Sequence, residues 1–274
     1  MKDERQRLNW QEKVRKNVRK IMDFEHVKAV FEEYLNGYDR QNDKVKLKIV
    51  HTYGVIRCSE EIGRRMGLQA EDMELAKLIA LLHDIGRFEQ LKRFNSFEAD
   101  TMDHATYGVK VLFEEGMIRQ FIEEDTWDDV IRTAIAKHSD YELTGITDER
   151  TLLHARLIRD ADKLDNCRVK LEDAMETLLD LSPDEVGKYA ISPKVREDAF
   201  AGKCICSKDR RTPMDYWVSY VAYFYDLNFQ ETLDIVAEEQ YVKRIIGRVP
   251  YTNEQTKKTM EELERQLTEY VRRK

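Results

Sequence analysis

Apolar positions recur at three- and four-residue steps along most of this chain, the signature of helices packed on one face. The densest run is Leu75–Arg87, LAKLIALLHDIGR, where Leu75, Leu78, Ile79 and Leu82 form a buried stripe that leads into an adjacent His83–Asp84 pair. Gly86 is placed to end this helix, since glycine takes the left-handed conformation cheaply. Upstream, Trp10, Val14, Val18 and Ile21, then Val27, Val30, Phe31 and Tyr34, predict one or two surface-packed helices ending near Gly37. A longer helix is expected from an Asp43 cap to Gly67, with Leu47, His51, Val55, Cys58 and Ile62 on its apolar side.

Beyond the HD pair, Phe88–Thr101 reads as a loop, and a helix opening at Asp103–His104 runs to Gly116. Ile131, Ile135 and His138 share a face of the next helix. TLLHARLIRDADKLDNCRVKLEDAME then reads as one long helix, with Leu157, Ile158, Ala161, Asp162 and Leu164 turned inward. Residues 181–212 lack a clear period and suggest an irregular connection with short helices. Pro213 suits the first position of an aromatic core helix. TLDIVAEEQYVKRIIG and the amphipathic EQTKKTMEELERQLTEYVRR close the chain, the latter with a stripe of Met260, Leu263, Leu267 and Val271 that would pack on the body or on a second subunit.

Composition sharpens this to an all-α fold. Among 274 residues only 11 are Gly and 4 Pro, while helix formers abound. The domain reading is N-terminal helices over 1–42 packing on the core, a metal-binding domain over 43–180, and a helical extension over 181–274 in the same globule. With 46 Lys+Arg against 53 Asp+Glu, a net charge of -7, no stable nucleic-acid complex is expected. No apolar run is long enough for a membrane span, and the start lacks a signal-peptide core. Cys58, Cys167, Cys204 and Cys206 match no zinc knuckle, so a reduced, cytoplasmic protein is expected.

The candidate chemistry lies in four histidines and two aspartates. His26 and His154 read as ordinary helix residues. His51, His83, His104 and His138 fall on or beside the inward side of separate helices, and Asp84 and Asp162 do the same. Such groups converging in a core are strongly destabilising without a compensating partner. A divalent metal supplies one, and histidine–carboxylate sets suit Mn, Fe, Co, Ni or Zn, with Mg admissible. Six donors exceed the needs of one tetrahedral zinc and suggest octahedral coordination or two ions sharing a carboxylate. Asp84, His104 and His138 are the catalytic candidates. Lys163 and Arg87 are the candidate phosphate contacts. Asp103 reads as a cap, and Asp140 as an acceptor that could orient an imidazole. Lys208, Arg210 and Arg211 form either an ordinary loop or an arm over the site.

The order His51, His83–Asp84, Asp162, within ALLHDIG and DADKLD, resembles the HD superfamily of metal-dependent phosphohydrolases over residues 43–176. The resemblance implies an all-helical bundle whose first metal is held by His51, His83, Asp84 and Asp162. It also implies a second metal held through His104 and His138, with Asp84 bridging. The cyclic-dinucleotide branch carries a doubled histidine and a GYP loop. Here His138 is followed by Ser139 and no such loop occurs, which argues against cyclic-di-GMP hydrolysis. The expected activity is hydrolysis of a small phosphorylated substrate, a nucleotide foremost, with a homodimer permitted by the terminal helix. The rivals are a phosphodiesterase on cyclic or dinucleotide substrates, a non-catalytic metal- or nucleotide-binding regulator, and a di-iron oxygenase.

Overall fold

The computed structural model describes residues 22–98 and 100–273, and within them all the regular structure is helical, without a strand. Trp10, Val14, Val18 and Ile21 lie outside the described residues. Helix α1 (Phe24–Leu35) is capped by Asp23 and buries Val27, Phe31 and Leu35. Helix α2 (Asp43–Met66) starts at an Asn42 cap whose side chain accepts from the amides of Lys44 and Val45, so Asp43 is the first helical residue rather than the cap. It ends at Gly67 in the left-handed conformation, at φ 72°.

Helix α3 (Ala70–Leu82) ends, the two residues His83 and Asp84 form the turn, and α4 (Ile85–Phe94) begins. This corrects two expectations. Gly86 does not terminate a helix, and residues 88–94 are helix rather than loop. The period was masked because Gln90 is buried beside Ile85, Phe88 and Leu91. Its side chain donates to the Glu98 carbonyl and to Thr101 Oγ1, and accepts from Arg87. Gly86 serves close approach instead: a Cβ there would lie 2.2 Å from the carbonyl oxygen of His104.

Helix α5 (His104–Val109), capped by Asp103, widens into a π turn over Lys110–Glu114. The short α6 (Ile118–Phe121) follows, then α7 (Asp128–Lys137). Helix α8 (Glu149–Glu172) is the second long helix and carries the RDADKLDN stretch. The core is built by α2, α3, α7 and α8, which pack on one another, with α5 against α4 and α7, and α1 against α3 and α6.

The C-terminal part has the short helices α9 (Met175–Leu179), α10 (Pro183–Val186) and α11 (Pro193–Phe200), then α12 (Pro213–Ala222). Pro213 stands at the start of α12, where Thr212 and Asp215 form a reciprocal capping box. Trp217 on this helix is completely buried, as expected of a core element. The stretch TLDIVAEEQYVKRIIG, expected as one helix, is two: α13 (Gln230–Glu238) and α14 (Tyr241–Ile246). Gln240, at φ 53°, breaks them, a left-handed residue of a type that gives no breaker signal. In α15 (Glu254–Arg273) Met260, Leu263, Leu267 and Val271 are buried, and the helix packs on α11, α13 and α14. The stripe therefore docks on the body of its own chain, and α13 and α14 in turn pack on α8.

Candidate metal centre

The six donors come from five places on the bundle. His51 lies in the middle of α2, and Asp162 in the middle of α8. His83 and His138 are the C-terminal caps of α3 and α7, His104 is the first residue of α5, and Asp84 is the corner between α3 and α4. Asp84 sits at φ -106°, ψ 19°, between the regular regions, where active-site residues are often found. His51, His83, Asp84, His104 and His138 are all buried, and Asp162 is partly so.

The donors sort into two groups. His51, His83 and Asp162 form one, and Asp84, His104 and His138 the other; within each, the donor atoms lie within 4.8 Å of one another. His51 Nε2 is 2.9 Å from Asp162 Oδ1, and His83 Nε2 is 3.9 Å from that oxygen. Asp84 faces both groups. Its Oδ2 is 3.4 Å from His83 Nε2, while its Oδ1 is 3.2 Å from His104 Nε2 and 3.6 Å from His138 Nε2. Lys48, one turn before His51 on α2, places its ammonium on Asp84 Oδ2.

Three imidazoles are oriented from behind. His83 Nδ1 donates to the Ala80 carbonyl at 2.7 Å, and His138 Nδ1 to the Ile135 carbonyl at 2.7 Å. His51 Nδ1 lies 2.8 Å from Asp165 Oδ2. A proton held at Nδ1 leaves Nε2 to point a lone pair inward, the arrangement a metal-ligating histidine requires. Nε2 of His83 and Oδ1 of Asp84 are buried without any hydrogen bond, and Nε2 of His104 and His138 face each other at 3.1 Å. Lone pairs and carboxylate oxygens crowded together in a buried site call for a cation. The donor set fits a divalent metal.

Residues 49–167 match the family model of the HD domain. The chain carries an HD domain. HD domains belong to a superfamily of metal-dependent hydrolases, generally phosphohydrolases that bind divalent metals. The matched span holds all six donors. Comparison with curated proteins and with solved structures gives no significant match.

The charges inside this HD domain keep its carboxylates ionised and His104 neutral. Burial alone would raise the Asp84 carboxyl, but the Lys48 ammonium and the surrounding imidazoles hold it well below the usual carboxylate range. Asp162 is likewise held far down against its burial, by His51, His83 and Lys48. His83 resists the effect of its own burial and is shifted up, because Asp84 and Asp162 stabilise positive charge there. His104 is pushed the other way, down to about 3, by burial and by the Arg87 guanidinium, so it is a neutral donor at physiological pH.

Arg87 and Lys163 part company. Arg87 is drawn into the centre of the HD domain: it donates to His104 Nε2 at 2.9 Å and its Nε stands 3.7 Å from Asp84 Oδ1. The Lys163 ammonium instead lies 2.8 Å from Asp226, a carboxylate that also pairs with Arg159. Asp103 caps α5 by accepting from the Thr106 amide. The Asp140 side chain pairs with Lys137 and orients no imidazole, although the Asp140 carbonyl accepts from Arg159.

Sequence reading missed two groups at this HD centre. Asp165, three residues beyond Asp162 on the same helix face, orients His51 and is gripped by Arg168 through two bonds of 2.9 Å. The α2–α8 crossing is tight there, since a Cβ on Gly54 would come 1.9 Å from Asp165 Oδ1. Lys48 was the other, and its signal was position alone, one turn before His51 on the buried face.

Proposed function

We propose that this HD domain is a metal-dependent phosphohydrolase that hydrolyses a phosphoester or phosphoanhydride of a small phosphorylated molecule, with a nucleotide as the leading class. The observation that carries the reading is Asp84, a buried carboxylate whose two oxygens each address a different cluster of histidine donors. That geometry supports one or two divalent transition ions, held by His51, His83, Asp84 and Asp162 and by Asp84, His104 and His138. Bound there, such an ion polarises phosphoryl oxygens and lowers the pKa of a coordinated water toward neutrality.

The residues of the chain supply the rest. Asp165 and the Ala80 and Ile135 carbonyls fix three imidazole tautomers, so His51, His83 and His138 already turn Nε2 inward. Arg87 keeps a fixed positive charge beside His104, where negative charge on a phosphoryl group would be stabilised. His104, kept neutral by burial and by Arg87, has a lone pair to offer as a donor. The reading includes a cytoplasmic protein; no helix among the described residues is long and apolar enough to cross a membrane.

The test is elemental analysis of protein purified without chelator, alongside turnover of a panel of nucleotides, sugar phosphates and p-nitrophenyl phosphate with Mn, Co, Ni, Fe and Zn. Wild type should hold one or two ions and cleave a member of the panel. Asp84→Ala should lose both while its helical circular dichroism persists. Tight nucleotide binding without turnover would replace the reading with a regulator, and iron-dependent oxygen uptake would replace it with an oxygenase. Turnover unchanged in Asp84→Ala would sink the site.

A further inference from the structure

Lys170 lies on α8 two turns beyond Asp162, and it is buried. Helical side chains lean toward the N-terminus of their helix, so this one reaches back along α8 toward the HD centre. Its Nζ donates to Asn166 Oδ1 at 3.2 Å, and Asn166 Nδ2 donates in turn to Asp162 Oδ1 at 2.9 Å. On the opposite side Nζ stands 4.0 Å from the ring centroid of Tyr220 on α12. Among the described residues no carboxylate lies within ion-pairing distance of this ammonium; its contacts are one amide oxygen and one aromatic face.

A buried ammonium without a counter-charge is a cost to the fold, one that a methionine of similar length would avoid. The neighbouring charge makes it worse. Burial and the charge of Lys48 on α2 push the Lys170 ammonium down to about 8, against the pull of Asp162 and Asp173. Lys48 is paired with its carboxylate, Asp84, whereas Lys170 is paired with none among the described residues, and Asp162 and Asp173 act on it only from beyond ion-pairing distance. Two buried ammonium groups thus border the carboxylate–imidazole cluster, one of them without a paired carboxylate among the described residues. Phosphate is an anion that lysine binds as a point charge.

We propose that Lys170, aimed by Asn166 and backed by the face of Tyr220, is a phosphate-binding residue that receives a phosphoryl oxygen of the substrate next to the Asp162 side of the metal centre. The assignment of the anion rests on the phosphohydrolase reading. It adds a residue from the C-terminal turns of α8, beyond the segment matched by the HD-domain family, and it makes α12 part of the substrate site.

The experiment is calorimetric titration of inorganic phosphate into the Mn-loaded full-length chain, for wild type, Lys170→Met and Lys170→Arg, with metal content and thermal midpoint measured on the same samples. Lys170→Met should weaken phosphate binding at least tenfold, keep its metal and melt at a higher temperature than wild type. Lys170→Arg should retain most of the affinity. Phosphate binding equal in wild type and Lys170→Met overturns the proposal, as does absence of phosphate binding in wild type. A lower midpoint or lost metal in Lys170→Met also overturns it, since it would mark a structural role. The two readings separate cleanly. Lysine-dependent phosphate binding without turnover of any phosphoester leaves the subsite standing and removes the hydrolase, while turnover with an unchanged KM in Lys170→Met removes the subsite alone.

Discussion

Asp165 does for His51 what main-chain carbonyls do for His83 and His138: it accepts the Nδ1 proton and so turns Nε2 into the centre. A carboxylate is the stronger acceptor, and it makes the imidazole a better donor to a metal. Burial would raise the Asp165 carboxyl, but its bonds to His51 and Arg168 keep it below the usual range, so it stays ionised. Asp165→Asn keeps the shape and removes the charge. Metal affinity should fall by about 10–100-fold with helical content unchanged, as read by titration against a competing chelator. An affinity equal to wild type would show that His51 is oriented by packing alone. The residue was legible only in retrospect. Asp165 shares a helix face with Asp162, but α8 is rich in charge, and nothing in a linear pattern separates an orienting carboxylate from a solvated one.

Helix ends, rather than helix bodies, set most of this site. His83, Asp84, His104 and His138 all stand at termini, where a side chain can leave the packed surface without breaking a ladder of main-chain bonds. Those termini converge because α4 and α5 approach almost to main-chain contact at Gly86 and Gly108, where a Cβ on Gly86 would lie 2.7 Å from the Gly108 nitrogen. Gly86→Ala therefore forces α5 outward and carries His104 with it. The variant should be destabilised by about 1–3 kcal/mol or more, the usual cost of overpacking, and should bind less metal per chain. Urea denaturation with metal analysis checks both. An unchanged midpoint with full metal content would mean that α5 can shift freely. The element-scale error, a helix stop at Gly86 and a loop after it, has the same origin. Glycine in sequence signals either a left-handed turn or a close approach, and only the neighbouring helix distinguishes them.

Across the whole molecule, α8 ties the HD centre to the C-terminal helices. Asp160, buried two residues before Asp162, accepts from the amides of Asn228 and Phe229, from the Asn228 side chain and from Thr232, at the start of α13. Toward the other side, His154 on α8 is bound to Asp72 on α3 at 3.0 Å. Burial lowers the His154 pKa in the folded chain, outweighing Asp72. The unfolded chain therefore takes up this proton first. The contribution of a neutral His154 is complete above a pH of about 6.5, the unfolded value, and is lost as the pH falls from there through the lower folded value. His154→Gln keeps a donor for Asp72 but does not titrate. The stability gap between wild type and this variant should shift against wild type as pH falls from 7.5 to 5, as measured by urea midpoints. A gap that stays constant over that range would place the His154 pKa at its ordinary value.

The sequence by itself determined the helical class, the long α2 and α8, the Asp103 cap, the Pro213 start of α12 and the histidine–aspartate pattern of the HD domain. Each is a local matter: periodicity, capping chemistry and ligand spacing are written in adjacent residues. It also found the stripe of α15, but only the folded chain shows that the stripe packs on its own α11, α13 and α14. The tertiary structure alone decided that Asp84 turns one oxygen to each histidine group, that Arg87 enters the centre while Lys163 is neutralised by Asp226, and that Lys170 has no ion-paired carboxylate among the described residues. Those outcomes depend on which charges from distant segments meet in a dry interior, and there the energy of a charge is set by its neighbours in space rather than in sequence.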